Sequence, residues 1–146
     1  IAPSEVRIPM ARMLMLLLGL TLLTPSPSGT CDGVGSGLCY EETRFLALLN
    51  AERRNLGMAA LQMDATMRIA ARNHSQWMSK GNWDHSGEPY AECIAYCTGG
   101  ADTVLAVWRG SPLHWAILTD GHSHIGLAAV EYGGTVWWTA MLGSNS

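Results

Sequence analysis

At 146 residues, with 48% hydrophobic and 14% charged side chains, the chain has room for one domain with a filled core and falls outside the disordered class. Its net charge is −3, and Lys80 is its only lysine. With no basic run or basic face, nucleic acid and anionic membrane surfaces are set aside as partners.

Arg12 is followed by Met13 to Leu23, which carry no charge, and then by Thr24-Pro-Ser-Pro-Ser-Gly-Thr30. This order of a basic residue, a short apolar run and a helix-breaking small-residue segment predicts an export signal. The run is too short to span a membrane. Residues 1–30 are therefore read as a leader, 31–40 as a glycine-rich linker and 41–146 as the domain. No integral membrane span is expected once the leader is removed. Four cysteines remain, Cys31, Cys39, Cys93 and Cys97. An even count in an exported chain predicts disulfides, with Cys31–Cys39 and Cys93–Cys97 as the preferred pairs among three connectivities.

Helical periodicity over Glu41 to Leu56 gives a first helix with an apolar stripe of Phe45, Leu48, Leu49 and Leu56, acidic residues in its first turn and Gly57 after its end. Asp64 is placed to cap a second helix that runs to Gly81. Its stripe is Met67, Ala70, Ala71, His74, Trp77 and Met78. His74 reads as a hydrogen-bonded core histidine. The six tryptophans likewise read mainly as core.

Trp83 to Tyr96 is the most informative stretch. Gly87-Glu-Pro89 rules out a continuous helix. A turn must therefore bring His85 toward Glu92, which opens a short apolar strand, Ala91 to Tyr96. A carboxylate at the start of a buried strand needs a partner, and downstream His114 is the second candidate. Asp102 to Arg109 predicts a short helix. Ser111-Pro112 reads as an N-cap with proline at the first helical position, opening one or two turns that carry His114, Trp115 and Leu118. Asp120-Gly121 marks a turn. Ser123–Tyr132 and Thr135–Leu142 form a hairpin around Gly133-Gly134. Helices before and between three strands imply an α+β fold, a small antiparallel sheet covered by helices.

Four blocks in this order resemble the CAP superfamily, or SCP domains, of cysteine-rich secretory, antigen 5 and pathogenesis-related 1 type. They are Leu49-Asn-Ala-Glu-Arg-Arg-Asn-Leu-Gly57, Ala70-Ala-Arg-Asn-His-Ser-Gln-Trp-Met78, His85-Ser-Gly-Glu-Pro-Tyr-Ala-Glu92 and Trp108-Arg-Gly-Ser-Pro-Leu-His114. Trp137-Trp-Thr also suits the family's last strand. The resemblance covers roughly residues 41–143 and implies an α-β-α sandwich. It also implies a cleft of two histidines and two glutamates that in some members holds a divalent metal. His85, Glu92 and His114 match three of these four, and Ser111 stands where the fourth, a glutamate, would be. Cys93 replaces an asparagine, and Ala91 and Leu113 replace glycines.

On this basis His85, Glu92 and His114 are the expected ligand-binding and metal residues. The expected cofactor is a weakly held Zn²⁺ or another divalent cation. The expected function is that of a secreted module binding a small molecule, a lipid or a metal. The alternative is a metal-assisted, peptidase-like hydrolase in which Glu92 is the general base. Glu88 reads as a solvated turn carboxylate, with replacement of the missing glutamate as its alternative. His122 and His124, at i and i+2, are a second two-ligand candidate, read as ordinary surface histidines. Ser86, Ser111 and Cys93 are the only nucleophiles near these residues. Ser111 is better explained as a cap, and Cys93 as oxidised.

Overall fold

A computed structural model describes residues 39–144. The leader, most of the linker and Cys31 lie outside the described residues. The elements follow the order α1 (Cys39–Asn55), β1 (Gln62–Met63), α2 (Ala65–Ser79), β2 (Ala91–Cys97), α3 (Ala101–Arg109), α4 (Pro112–Leu118), β3 (His124–Tyr132) and β4 (Thr135–Gly143). The strands form one sheet in the order β1-β3-β4-β2. β4 runs antiparallel to both β3 and β2, while β1 lies parallel to β3. The sheet is therefore mixed and four-stranded, not the purely antiparallel three-stranded sheet expected. The added strand is only two residues long, too short for an alternation to show in sequence.

Strand alternation divides the sheet's two faces. Cys93 and Ala95 of β2, Ile125, Leu127 and Ala129 of β3, and Trp138, Ala140 and Leu142 of β4 enter one core with Phe45 and Leu49 of α1, Val104 and Trp108 of α3, and Leu118 of α4. The opposite face is covered by α2, through Ala71 against Ala128 and Met141 and a hydrogen bond of 2.8 Å between Ser75 Oγ and Thr139 Oγ1. At Gly126 the helix comes so close that a Cβ would run into the Met67 backbone. The result is the expected α-β-α sandwich. The hairpin turn also follows expectation: Gly133 and Gly134 both have positive φ, 60° and 82°, as a primed two-residue turn requires.

The apolar stripe of α1 is corrected in one respect. Its buried residues are Glu42, Phe45, Leu49 and Arg53, so a helical stripe with an apolar centre ends in a buried charge on each side. Leu56, expected within it, lies beyond the helix and is exposed. Arg53 Nε donates to Ala59 O at 3.0 Å, Nη1 to Leu118 O and Asp120 O at 2.9 Å each, and Nη2 to His122 O at 3.1 Å. One side chain thereby fastens the segment before β1 and the one after α4. Burial lowers its pKa, against the opposing charge of Asp120. Glu42 accepts from Arg72 Nη2 and Arg68 Nη2, both at 2.7 Å, and from Ala129 N at 3.0 Å. Glu41 accepts from Ala101 N at 2.7 Å, at the start of α3. There the N-cap, Gly100, has no side chain to offer.

The pairing of Cys93 with Cys97 is overturned: both are free thiols. β2 runs unbroken through both residues, and four residues of extended strand separate them by about 13 Å, roughly twice the Cα separation a disulfide tolerates. Cys39 is not among the free thiols. Among the described residues no helix is long and apolar enough to cross a membrane.

Asp64 caps α2 as expected, with Oδ1 accepting from Met67 N at 2.8 Å. Asp64→Ala is expected to cost about 1 kcal/mol of unfolding free energy, read as a lowered urea midpoint at unchanged slope. An unchanged midpoint would mean that this cap contributes nothing to stability.

Candidate functional site

Glu92, Ile94 and Tyr96 alternate with the core-facing Cys93 and Ala95 along β2, so they face the side of the sheet that α2 covers. Glu92 is 7% exposed at its side chain. The turn forced by Gly87 and Pro89 does bring His85 back to it. Gly87 takes the left-handed φ of 78° that the turn requires. His85 Nδ1 donates to Glu92 Oε1 at 2.6 Å, and the Ser86 backbone N–H donates to the same oxygen at 3.0 Å. Ser86 Oγ in turn accepts from Glu88 N at 3.1 Å. Glu92 Oε2 is buried and has no hydrogen-bond partner among the described residues.

His74 is a buried, hydrogen-bonded histidine as expected, and it also belongs to this group, which the sequence reading did not foresee. It is buried, and its Nε2 donates to Asp84 O at 2.8 Å while lying 3.9 Å from Glu92 Oε1. Its ring stacks on Trp77 at 5.4 Å between centroids. The signal was present as His74-x-x-Trp77, an i,i+3 pair on one helix face. Ala70, Asn73, His74 and Trp77 of α2 and His85, Ser86 and Glu88 of the turn line a cleft of about 290 Å³. Glu88 is thus at the rim and exposed.

His114 takes a different place. Its Nδ1 is hydrogen bonded to Ser111 Oγ at 2.8 Å, its ring lies 6.4 Å from that of Trp108, and its carbonyl accepts from the Cys93 thiol at 3.7 Å. It is not part of the cleft lining. Ser111 does sit at the N-cap position, but its side chain caps no backbone N–H; the hydroxyl goes to His114 instead. Burial lowers the pKa of His114, and the charge of His85 lowers it further. Cys93 is held protonated: burial, reinforced by Glu92, pushes its thiol up to about 12. A covered thiol of that kind is neither a nucleophile nor a metal ligand.

Among the described residues no group of three or more His, Cys, Asp or Glu stands close enough together to hold a metal ion. His85 Nδ1 is bonded to Glu92 Oε1 and His114 Nδ1 to Ser111 Oγ, which leaves each ring its Nε2, the nitrogen a histidine offers a metal when Nδ1 is held by a hydrogen bond. His122 and His124 do not converge either. His122 Nε2 lies 3.7 Å from Asp120 Oδ2, and His124 Nδ1 is 2.7 Å from Ser123 Oγ.

Residues 46–142 match the cysteine-rich secretory protein (CAP) family, and the chain belongs to that family. It is 30% identical over 139 residues to the uncharacterized protein YkwD of Bacillus subtilis, an alignment covering 82% of the chain. The chain spans about half, 54%, of that relative's length. Among solved structures it resembles an outer surface protein of Borrelia burgdorferi, with a TM-score of 0.64 at 15% identity over 73% of this chain and 94% of that one. It also resembles an extracellular SCP-domain protein from Bacillus anthracis, with a TM-score of 0.63 at 18% identity over 73% and 41% of the two chains. At these identities the structural likeness establishes the fold.

The two causes of the His114 shift separate by experiment. Proton resonances of the imidazole, followed through a pH titration, should place its midpoint below the ordinary 6.5. In His85→Ala the midpoint should rise while staying below that value, because burial, the larger cause, is untouched. With fewer protons bound folded than unfolded, the stability tied to this group is complete above about 6.5 and declines as pH falls toward the depressed folded value. A midpoint unmoved in His85→Ala would mean that the two rings do not sense each other.

Proposed function

We propose that this chain is an exported binding module whose ligand site is the cleft beside His85 and Glu92. The supporting observation is the arrangement of Glu92. It is a buried carboxylate with one oxygen saturated by His85 and the Ser86 N–H and the other without a partner among the described residues, beside an open cleft. Glu92 does not itself line the cleft; it fixes the His85 ring, and His85, Ser86 and Asn73 are polar groups that the cleft offers a ligand. Trp77 adds an exposed aromatic wall and Asn73 an exposed amide, which suits a small molecule with one apolar face. The charge of His85 is felt at His114, whose ring is hydrogen bonded to Ser111.

Export is supported by the apolar run Met13–Leu23 after Arg12 and by relatives described as outer-surface and extracellular. The Cys31–Cys39 bridge belongs to the same reading, whereas Cys93 and Cys97 stay reduced within the fold. Hydrolysis has no observation of its own. Glu92 is enclosed, its Oε1 is committed, and Cys93 is protonated. Zn²⁺ enters the proposal as a weak, exchangeable guest of His85, Glu92 and His114, whose two rings keep Nε2 outside their Nδ1 hydrogen bonds.

Two measurements test this reading. In a fragment screen followed by backbone amide shifts, polar fragments should perturb residues 73–77, 85–88 and 92 together, and Glu92→Ala should abolish those shifts in a folded protein. Shifts scattered elsewhere, or kept in Glu92→Ala, would remove the cleft as the site. Treatment with a strong chelator should leave the thermal midpoint unchanged. A fall of several degrees would reveal a structural metal.

A further inference from the structure

A second feature lies on the same side of the sheet and takes no part in the cleft. Trp83, Tyr96 and Trp137 meet in a cluster with ring centroids 5.1 Å apart for Trp83–Tyr96, 5.1 Å for Tyr96–Trp137 and 6.3 Å for Trp83–Trp137. Tyr96 and Trp137 are tilted 38° to each other, and Trp83 stands at 88° to Tyr96. The shape is an angled shelf, with two rings as the floor and one as the wall. Trp83 is 53% exposed and Tyr96 58%. These rings form no part of either buried apolar cluster. β2 carries Tyr96 four residues beyond Glu92 on one strand face, about 13 Å away, so the shelf and the His85–Glu92 pair are separate sites.

We propose that this shelf binds a neutral oligosaccharide of β-linked hexopyranoses. Such sugars present flat faces of C–H groups that pack against aromatic rings, with hydroxyls around the edge that need polar partners. Asn82 and Asp84 flank Trp83 in sequence; Asn82 Nδ2 donates to Trp77 O and Asp84 Oδ1 accepts from His85 N–H, which leaves Asn82 Oδ1 and Asp84 Oδ2 as acceptors for those hydroxyls. The charge around the shelf disfavours an anionic ligand. Asp84 and Glu88 lie in the same turn segment and are exposed, and Lys80 is the only basic side chain between α2 and β2. A stacking surface for single-stranded nucleic acid needs a basic groove, and insertion into a membrane surface uses lysine and arginine around the aromatic residues. Neither surrounds these rings. Size argues against a stable protein partner. The three rings expose on the order of 300 Å² together, well under the roughly 800 Å² per partner of a specific protein interface.

The test uses the purified protein with cellohexaose and chitohexaose as probes, read by tryptophan fluorescence and calorimetry. The proposal expects saturable binding of at least one of the two, accompanied by a change in tryptophan emission. Affinity should fall by about tenfold or more in Trp83→Ala and in Tyr96→Ala, the loss expected when one stacking ring worth about 1.4 kcal/mol is removed. Both positions are exposed, and circular dichroism will confirm that each variant folds. Binding should persist in His85→Ala and in high salt, which separates this shelf from the cleft and from an electrostatic site. Absence of saturable binding to either hexasaccharide would overturn the proposal. So would affinity unchanged in both ring variants, or self-association of the wild type that Trp83→Ala relieves, which would mark the rings as a contact between copies.

Discussion

The fold turns on one buried carboxylate. Glu42 sits in the first turns of α1, on one face of the sheet, and reaches the edge of β3 that β1 leaves uncovered. There it accepts the outward N–H of Ala129 and holds Arg68 and Arg72, which come from α2 on the other face. Three layers therefore share one side chain. Its burial is tolerable because the carboxylate is fully answered: Glu42 and Arg72 are enclosed together, and both carboxylate oxygens accept short charge-assisted bonds. The contact also has a functional consequence. α2 carries His74 and Trp77, so whatever fixes α2 on the sheet fixes the wall of the cleft against Glu92.

Much of this fold was legible because its local signals and its tertiary environment agree. α2 has a cap, a 3.6-residue apolar stripe and Gly81 just past its end. The hairpin has two β-rich arms around a Gly-Gly turn that only positive φ can make. α1 was harder to read for a physical reason. The two ends of its buried stripe are Glu42 and Arg53, and a charged residue looks solvated until its partners are known. Those partners lie 26 to 87 residues away for Glu42 and up to 69 for Arg53. β1 escaped because a two-residue strand has no period.

The candidate site was half legible. Gly87 and Pro89 forced a turn, and the turn does return His85 to Glu92. His114 is hydrogen bonded to Ser111 and lies outside the cleft lining, and the charge of His85 lowers its pKa. His74 was visible as a histidine on an apolar face, and that face is also the lining of a cleft, a distinction that needs the turn in place above it. Cys93 and Cys97 misled because an even cysteine count says nothing about whether one strand runs through both. Of the tryptophans, Trp108 and Trp138 fill the core, whereas Trp77 and Trp83 stand exposed on the α2 side.

The most direct test of this account is equilibrium unfolding of Glu42→Ala in urea. Removing the carboxylate takes from buried Arg72 its ion pair with Glu42 and from Ala129 N–H its acceptor, a loss expected to cost about 3–5 kcal/mol. Replacing Glu42, Arg68 and Arg72 together by methionine should restore much of that loss, because no unpaired charge then remains buried. A cost of less than about 1 kcal/mol for Glu42→Ala, within the range of an ordinary surface ion pair, would contradict the claim that this carboxylate holds the layers together.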